Sequence, residues 1–111
     1  MQREIIFYEH HFLEFYEGLG AKAQEKVDYV FDLIRFEERI PSTFLKHLEG
    51  TDQLYEIRIR VGNNIFRIFC FFDAGRLVVL LNGFQKKTQK TPRKEIKVAE
   101  RLKNEYYENK G

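Results

Sequence analysis

From Leu54 to Leu81 the chain is committed to strands. Tyr55, Ile57, Ile59 and Val61 alternate with Glu56, Arg58 and Arg60, the period of a strand with one buried and one open face. Gly62-Asn63-Asn64 then supplies residues that tolerate positive φ, as a tight hairpin needs. Ile65 through Phe72 form the return strand, Asp73-Ala74-Gly75 makes a second turn, and Leu77–Leu81 is apolar throughout, as in a strand covered on both faces. Three consecutive antiparallel strands follow, and the rest of the chain must cover them.

Residues 3–8, Arg-Glu-Ile-Ile-Phe-Tyr, are β-branched and aromatic enough for a first strand. Phe12, Phe15, Tyr16 and Leu19 lie at helical spacing, and Gly18 and Gly20 are expected to break that helix. A second helix is expected through Val27, Val30, Phe31 and Ile34, ending before Pro41. The two form an αα-hairpin whose charged face reads as solvated. Thr91-Pro92 opens a last helix, with threonine as cap and proline as first helical residue. Ile96, Ala99, Leu102 and Tyr106 give it a narrow apolar stripe. The expected class is α+β, with an antiparallel sheet and the order β-α-α-β-β-β-α. With 111 residues, 43% of them hydrophobic, residues 1–111 are expected to form one domain with its own core. No apolar run reaches the roughly 18 to 20 residues of a membrane span, so the chain is expected to stay in the cytoplasm. One cysteine, Cys70, excludes an internal disulfide framework and a multi-thiolate zinc site; it reads as a small core residue.

Charge is divided along the chain. Residues 1–53 carry six Lys/Arg against eleven Asp/Glu, residues 54–84 four against two, and residues 85–111 nine against four. A polyanion would therefore meet the second half. Whichever two residues form the hairpin turn, Arg58 and Arg60 share a sheet face with Arg67. Like charges so placed repel, so the fold is expected to use them on an anion or to pair one with Glu56; phosphate suits the planar guanidinium. Lys86, Lys87 and Lys90 follow the last strand, and Arg93 and Lys94 stand in the first helical turn, where the macrodipole disfavours cations. That placement points again to an anion. His10 and His11 are adjacent and point to different helix faces, and His47 is distant in the chain, so no metal site is expected. No P-loop, G-x-S-x-G or G-x-G-x-x-G pattern occurs.

Several segments together carry a resemblance: Leu45-Lys46-His47-Leu48, Leu54 to Arg60, Phe66-Arg67-Ile68, and above all Gly83-Phe84-Gln85-Lys86-Lys87-Thr88-Gln89-Lys90-Thr91-Pro92. On them the chain resembles the toxins of type II toxin–antitoxin pairs, in the RelE/ParE superfamily and nearest its HigB-like, phage-derived branch. The resemblance implies a RelE-like fold and a ribosome-dependent mRNA endonuclease, inhibiting translation without metal or other cofactor and held inactive by a helix-turn-helix antitoxin. The partners implied are the ribosome, mRNA and that antitoxin. Among matching residues, Arg67 would carry phosphate and transition-state charge, and Arg58 and Arg60 would orient the backbone. Lys46 and Lys86 stand at catalytic positions of the family, while Lys87, Lys90, Arg93 and Lys94 would bind RNA. Arginine is a poor proton shuttle, so a lysine, His47 or Glu56 is the better candidate base. Relatives with a histidine or tyrosine in the final segment differ from this chain, which has Lys86-Lys87-Thr88, and the general acid is left unassigned. ParE-like members, which poison DNA gyrase without cutting RNA, supply the alternative function.

Overall fold

The computed structural model describes residues 2–110. Its elements run β1 (Glu4–Phe7), α1 (His11–Glu17), α2 (Ala21–Phe36), β2 (Leu45–His47), β3 (Tyr55–Val61), β4 (Asn64–Asp73), β5 (Leu77–Lys86) and α3 (Arg93–Lys110). The strands form one sheet in the order β1-β5-β4-β3-β2. The three-strand meander lies in it as expected. The hairpin turn is Gly62-Asn63, because Val61 pairs with Asn64, and Gly62 takes a φ of +60°, the left-handed conformation glycine adopts without strain.

Two features depart from the expected order. Leu45–His47 is a short edge strand antiparallel to β3, one strand more than the expected order contains; three residues carry too little periodicity to announce it. The first strand joins parallel to β5, so the sheet is antiparallel everywhere except at that edge. The last helix starts at Arg93, with the Pro92 carbonyl accepting from the Glu95 and Ile96 amides, so proline takes the capping place expected of threonine.

Alternation divides the sheet between two cores. Ile57, Ile59, Phe66, Ile68, Val78 and Leu80 face Phe12 of α1 and Val27, Val30 and Ile34 of α2. Cys70 is buried on this side, and burial pushes its thiol well above the ordinary value. Phe69, Phe71, Val79, Leu81 and Phe84 face Ala99 and Leu102 of α3. Each such side chain, fully buried, contributes about 1.5–3 kcal/mol. The α1–α2 hairpin closes through the Tyr16 hydroxyl, which donates to Asp28 Oδ1 at 2.9 Å, and through Phe12 against Phe31. The C-terminus of α2 is held by Arg3, whose guanidinium donates to the carbonyls of Ile34, Glu37 and Glu38 at 2.7–2.9 Å, groups a helix end otherwise leaves unpaired.

A β-bulge fixes where α3 lies. Register runs from Ile68 opposite Gly83 to Cys70 opposite Leu80, so both Leu81 and Asn82 stand against Phe69. Leu81 packs into the α3 core, and the Asn82 amide donates to the backbone carbonyl and to Oε1 of Glu95, each at 3.1 Å. On the other face Gly83 leaves room for Phe15: a Cβ there would lie 2.5 Å from the ring. The helix thus covers the apolar half of its sheet face and leaves the hairpin end of β3, β4 and β5 to polar residues.

Candidate functional site

On that uncovered half the strand registers stack three rows of side chains. Lys46 is opposite Glu56, Arg58 is opposite Arg67 and Arg60 opposite Ile65, while β5 adds Phe84 beside Arg67 and Lys86 beside Ile65. Paired residues point to the same face. Lys46, Glu56, Arg58, Arg60, Arg67 and Lys86 are therefore brought together, five cations around one carboxylate.

The face is not uniformly open, as the alternation alone had implied. Glu56 is 5% exposed and Arg67 6%, whereas Lys46 and Arg60 are exposed and Arg58 and Lys86 intermediate. Glu56 sits between two arginines, with Oε2 3.5 Å from Arg58 Nε and Oε1 3.7 Å from Arg67 Nε. Neither contact is a hydrogen bond, and Glu56 Oε1 and Arg67 Nε are buried without a partner. Arg67 donates from Nη1 to the Phe66 carbonyl at 3.1 Å, and Arg58 from Nη1 to the Ser42 carbonyl at 3.3 Å. Desolvation holds the Arg67 guanidinium below its ordinary value; Glu56 opposes this shift and Arg58 adds to it. An arginine stays charged all the same. Lys86 is likewise lowered, first by burial and then by the charge of Arg67, with Arg58 and Lys46 adding and Glu56 opposing.

The cluster opens into a cleft of about 600 Å³ lined by Arg58, Arg60 and Arg67 on the sheet and by Lys26, Ser42, Thr43 and Phe44 across from them. Past Arg58, whose amide donates to the Phe44 carbonyl at 2.8 Å, β2 has ended and the outer edge of β3 has no partner strand. A cleft lined by three arginines beside an open strand edge can hold an anion and polarise it.

Other sequence candidates lie elsewhere. His47 alternates with Lys46, and its ring meets Tyr55 at 5.2 Å on the α1–α2 side of the sheet, so the fold does not bring it to the cluster. Lys87 and Lys90 are exposed on the segment leaving β5. Arg93 lines a separate depression with Glu49, Thr51 and Lys97, and Lys94 is exposed beside it in the sequence. Lys26 and Phe44 were not foreseen. The sequence signal for Lys26 is that Lys22, Lys26 and Tyr29 lie at helical offsets of 0, 4 and 7; Phe44 has none. Among the described residues no group of three or more His, Cys, Asp or Glu side chains is placed to hold a metal ion.

An antiparallel meander with a parallel edge strand, an αα-hairpin on one face and a C-terminal helix half-covering the other defines a RelE-type scaffold. A chain of the crystallised archaeal RelE–RelB complex from Pyrococcus horikoshii OT3 is similar: TM-score 0.53 at 16% identity, covering 82% of this chain and 100% of that one. The Gp49-like family (Phage derived protein Gp49-like, DUF891) matches residues 14–104. The chain belongs to that phage-derived family of RelE/HigB-type toxins. No curated protein matches it.

Proposed function

We propose that this protein is the toxin of a type II toxin–antitoxin pair and that it cleaves mRNA on the ribosome, in the cytoplasm. The observation that carries the reading is the convergence of Lys46, Glu56, Arg58, Arg60, Arg67 and Lys86 on one sheet face, where the three arginines line a cleft.

The chemistry such a cluster suits is an internal transfer at phosphorus. The RNA 2′-oxygen bonds to the adjacent phosphorus, the bond to the 5′-oxygen breaks, and a cyclic 2′,3′-phosphate and a free 5′-hydroxyl result. One proton must leave the 2′-hydroxyl and one must reach the leaving oxygen. Charge grows on the non-bridging oxygens, and fixed cations in a partly desolvated cleft stabilise it most. Arg67 and Arg58 take that part. Arg60, at the exposed end, orients the strand by its phosphates. Lys86 is the residue we assign to proton transfer to the leaving oxygen, because it stands in one row with Arg60 on the arginine face and its ammonium carries a proton that burial and Arg67 make easier to give up. Glu56 holds both arginines in place, and Lys46 stands over it from the edge strand. The exposed Lys87, Lys90, Arg93 and Lys94 add to the field that attracts RNA.

An antitoxin of the helix-turn-helix class is proposed as the second partner, laying an acidic or apolar segment over the cleft. RelE in the archaeal structure is bound to RelB. Reversing Arg58→Glu and Arg60→Glu together should weaken antitoxin binding and flatten its salt dependence; unchanged affinity would move the partner to another face.

The test of the main reading maps cuts on a defined mRNA with purified protein, with and without translating ribosomes, for wild type and Arg67→Ala. Ribosome-dependent, codon-phased cuts that the variant loses are expected. No cuts by folded, toxic wild-type protein would end the nuclease reading in favour of a gyrase-directed one.

A further inference from the structure

The cleft continues beyond the arginines. Lys26 and Arg60 line both it and an adjoining concavity of about 410 Å³ that also takes in Lys22, Tyr29 and Glu25, so the two hollows share a wall. In that wall Lys26 Nζ lies 5.5 Å from the Tyr29 ring centre and 5.6 Å from that of Phe44. The rings themselves meet edge to face at 6.2 Å. Tyr29 is 53% exposed, although the apolar stripe of α2, Val27, Val30 and Ile34, is fully buried beside it.

A solvated helix face does not account for this arrangement. The first 53 residues carry eleven acids against six bases, yet Lys22 and Lys26 make no ion pair among the described residues, even with Glu25 between them. Arg35, the other cation of α2, is paired with Asp32 at 3.1 Å. Two free lysines and an outward aromatic ring are placed where α2 meets the open edge of β3. Cations that follow a backbone, with aromatic surface for a base beside them, are what single-stranded nucleic acid binds without regard to sequence. The hollow is shallow, with three cations, Lys22, Lys26 and Arg60, against the one carboxylate of Glu25, beside the apolar surface of Tyr29 and Val61.

We propose that Lys26, Tyr29 and Phe44 form a second nucleotide subsite for single-stranded RNA, continuous with the arginine cleft; the inference rests on reading that cleft as the RNA site. A nucleotide flanking the one held by Arg58 and Arg67 stacks its base on Tyr29 and Phe44. Its phosphate lies against Lys26, with Lys22 and Arg60 at either end. The subsite lengthens the grip on the strand and leaves the reacting phosphate to the cluster, so Tyr29 and Lys26 are positioning residues.

The experiment measures binding of a 2′-O-methyl nucleoside 3′-phosphate, a mononucleotide, and of an uncleavable 2′-O-methyl hexanucleotide, across a salt series, to the full chain and to Lys26→Gln, Tyr29→Ala, Tyr29→Phe and Arg58→Ala. Tyr29→Ala should weaken the hexanucleotide about tenfold or more, the effect of losing one stacked base, and Tyr29→Phe should keep it. Lys26→Gln should lower the slope of log affinity against log salt by about 0.7, one phosphate contact. The mononucleotide, which has no flanking base, should be indifferent to all three, and Arg58→Ala should weaken both probes. Hexanucleotide binding unaffected in Lys26→Gln and Tyr29→Ala, with Arg58→Ala weak, would overturn the subsite and leave the arginine cleft standing. Wild-type protein that binds neither probe, or Arg58→Ala that binds both normally, would overturn the cleft reading and the subsite with it. Variants that keep RNA but lose the antitoxin would assign the surface to a protein and refute the proposal.

Discussion

Glu56→Gln should make the protein less stable and its cleft a better anion site at the same time. Glu56 is the single carboxylate among five cations, 3.5 Å from Arg58 Nε and 3.7 Å from Arg67 Nε. At these separations and an effective dielectric near 20, each contact carries about 4–5 kcal/mol of gross attraction. Most of it offsets the desolvation of groups that are nearly buried, and removing one partner of such a cluster typically costs about 3–5 kcal/mol. Arg58 keeps 30% of its side chain in solvent, which screens its share, so a loss of about 2–3 kcal/mol is expected. For a domain of this size that lowers Tm by roughly 10–15 °C. The freed guanidiniums then have no internal counter-charge and gain most from an external one, since a ligand that binds only the folded state adds RT ln(1 + [L]/Kd). The assay is thermal unfolding of wild type and variant in a sulfate titration, against chloride at matched ionic strength. Sulfate also raises Tm by exclusion from the surface, so the decisive quantity is the difference between the two proteins: sulfate should narrow their Tm gap. A variant as stable as wild type, or a gap that sulfate leaves unchanged, would refute the idea that Glu56 holds these arginines in place of a phosphate.

Gly83→Ala should destabilise by about 1–3 kcal/mol, the usual cost of overpacking, because the new methyl meets the Phe15 ring at 2.5–2.8 Å; Phe15→Leu in the same chain should recover part of it in denaturant melts. Asp73 accepts from Tyr106 at 2.8 Å and from Lys110 at 2.7 Å, and those bonds hold its carboxyl below 3.8 while Lys110 is raised above 10.5. The carboxylate's contribution is present above 3.8 and lost as pH falls through its lower folded value; that of Lys110 is present below 10.5 and lost as pH rises beyond it. Amide protection in the last turn of α3, measured against the intrinsic exchange rate at each pH, should therefore fall selectively in acid, and in Asp73→Asn it should be low already at neutral pH. For Lys86, lowered from 10.5, cleavage should fall as pH rises through its reduced value. Lys86→Arg should lose that alkaline limb together with most of the rate, and a variant with the wild-type rate and profile would remove Lys86 from proton transfer.

The strands were legible because period-two alternation has one structural solution. The pairing of Arg58 with Arg67 was forced within one register by a two-residue turn. Helices α1 and α2 were legible from their stripes and from Gly18 and Gly20. What alternation does not encode is which polar positions on a face stay wet. Glu56 and Arg60 are four residues apart on one side of β3 and look alike in the sequence, yet one is buried and the other exposed. The difference depends on contacts far along the chain. Leu81 and Asn82 share one place in the ladder, Asn82 ties the first turn of α3 at Glu95, and the helix therefore covers Phe69 and Phe71 and stops short of the arginines. The other wall has the same character: Lys26 and Phe44 reach the cleft because β2 ends after three residues and leaves the β3 edge uncovered. The cations come from the strand pattern, but the cleft is made by where two elements stop. Shifting the bulge by one residue would move α3 over the cluster or away from it, and would change the site without altering a residue in it.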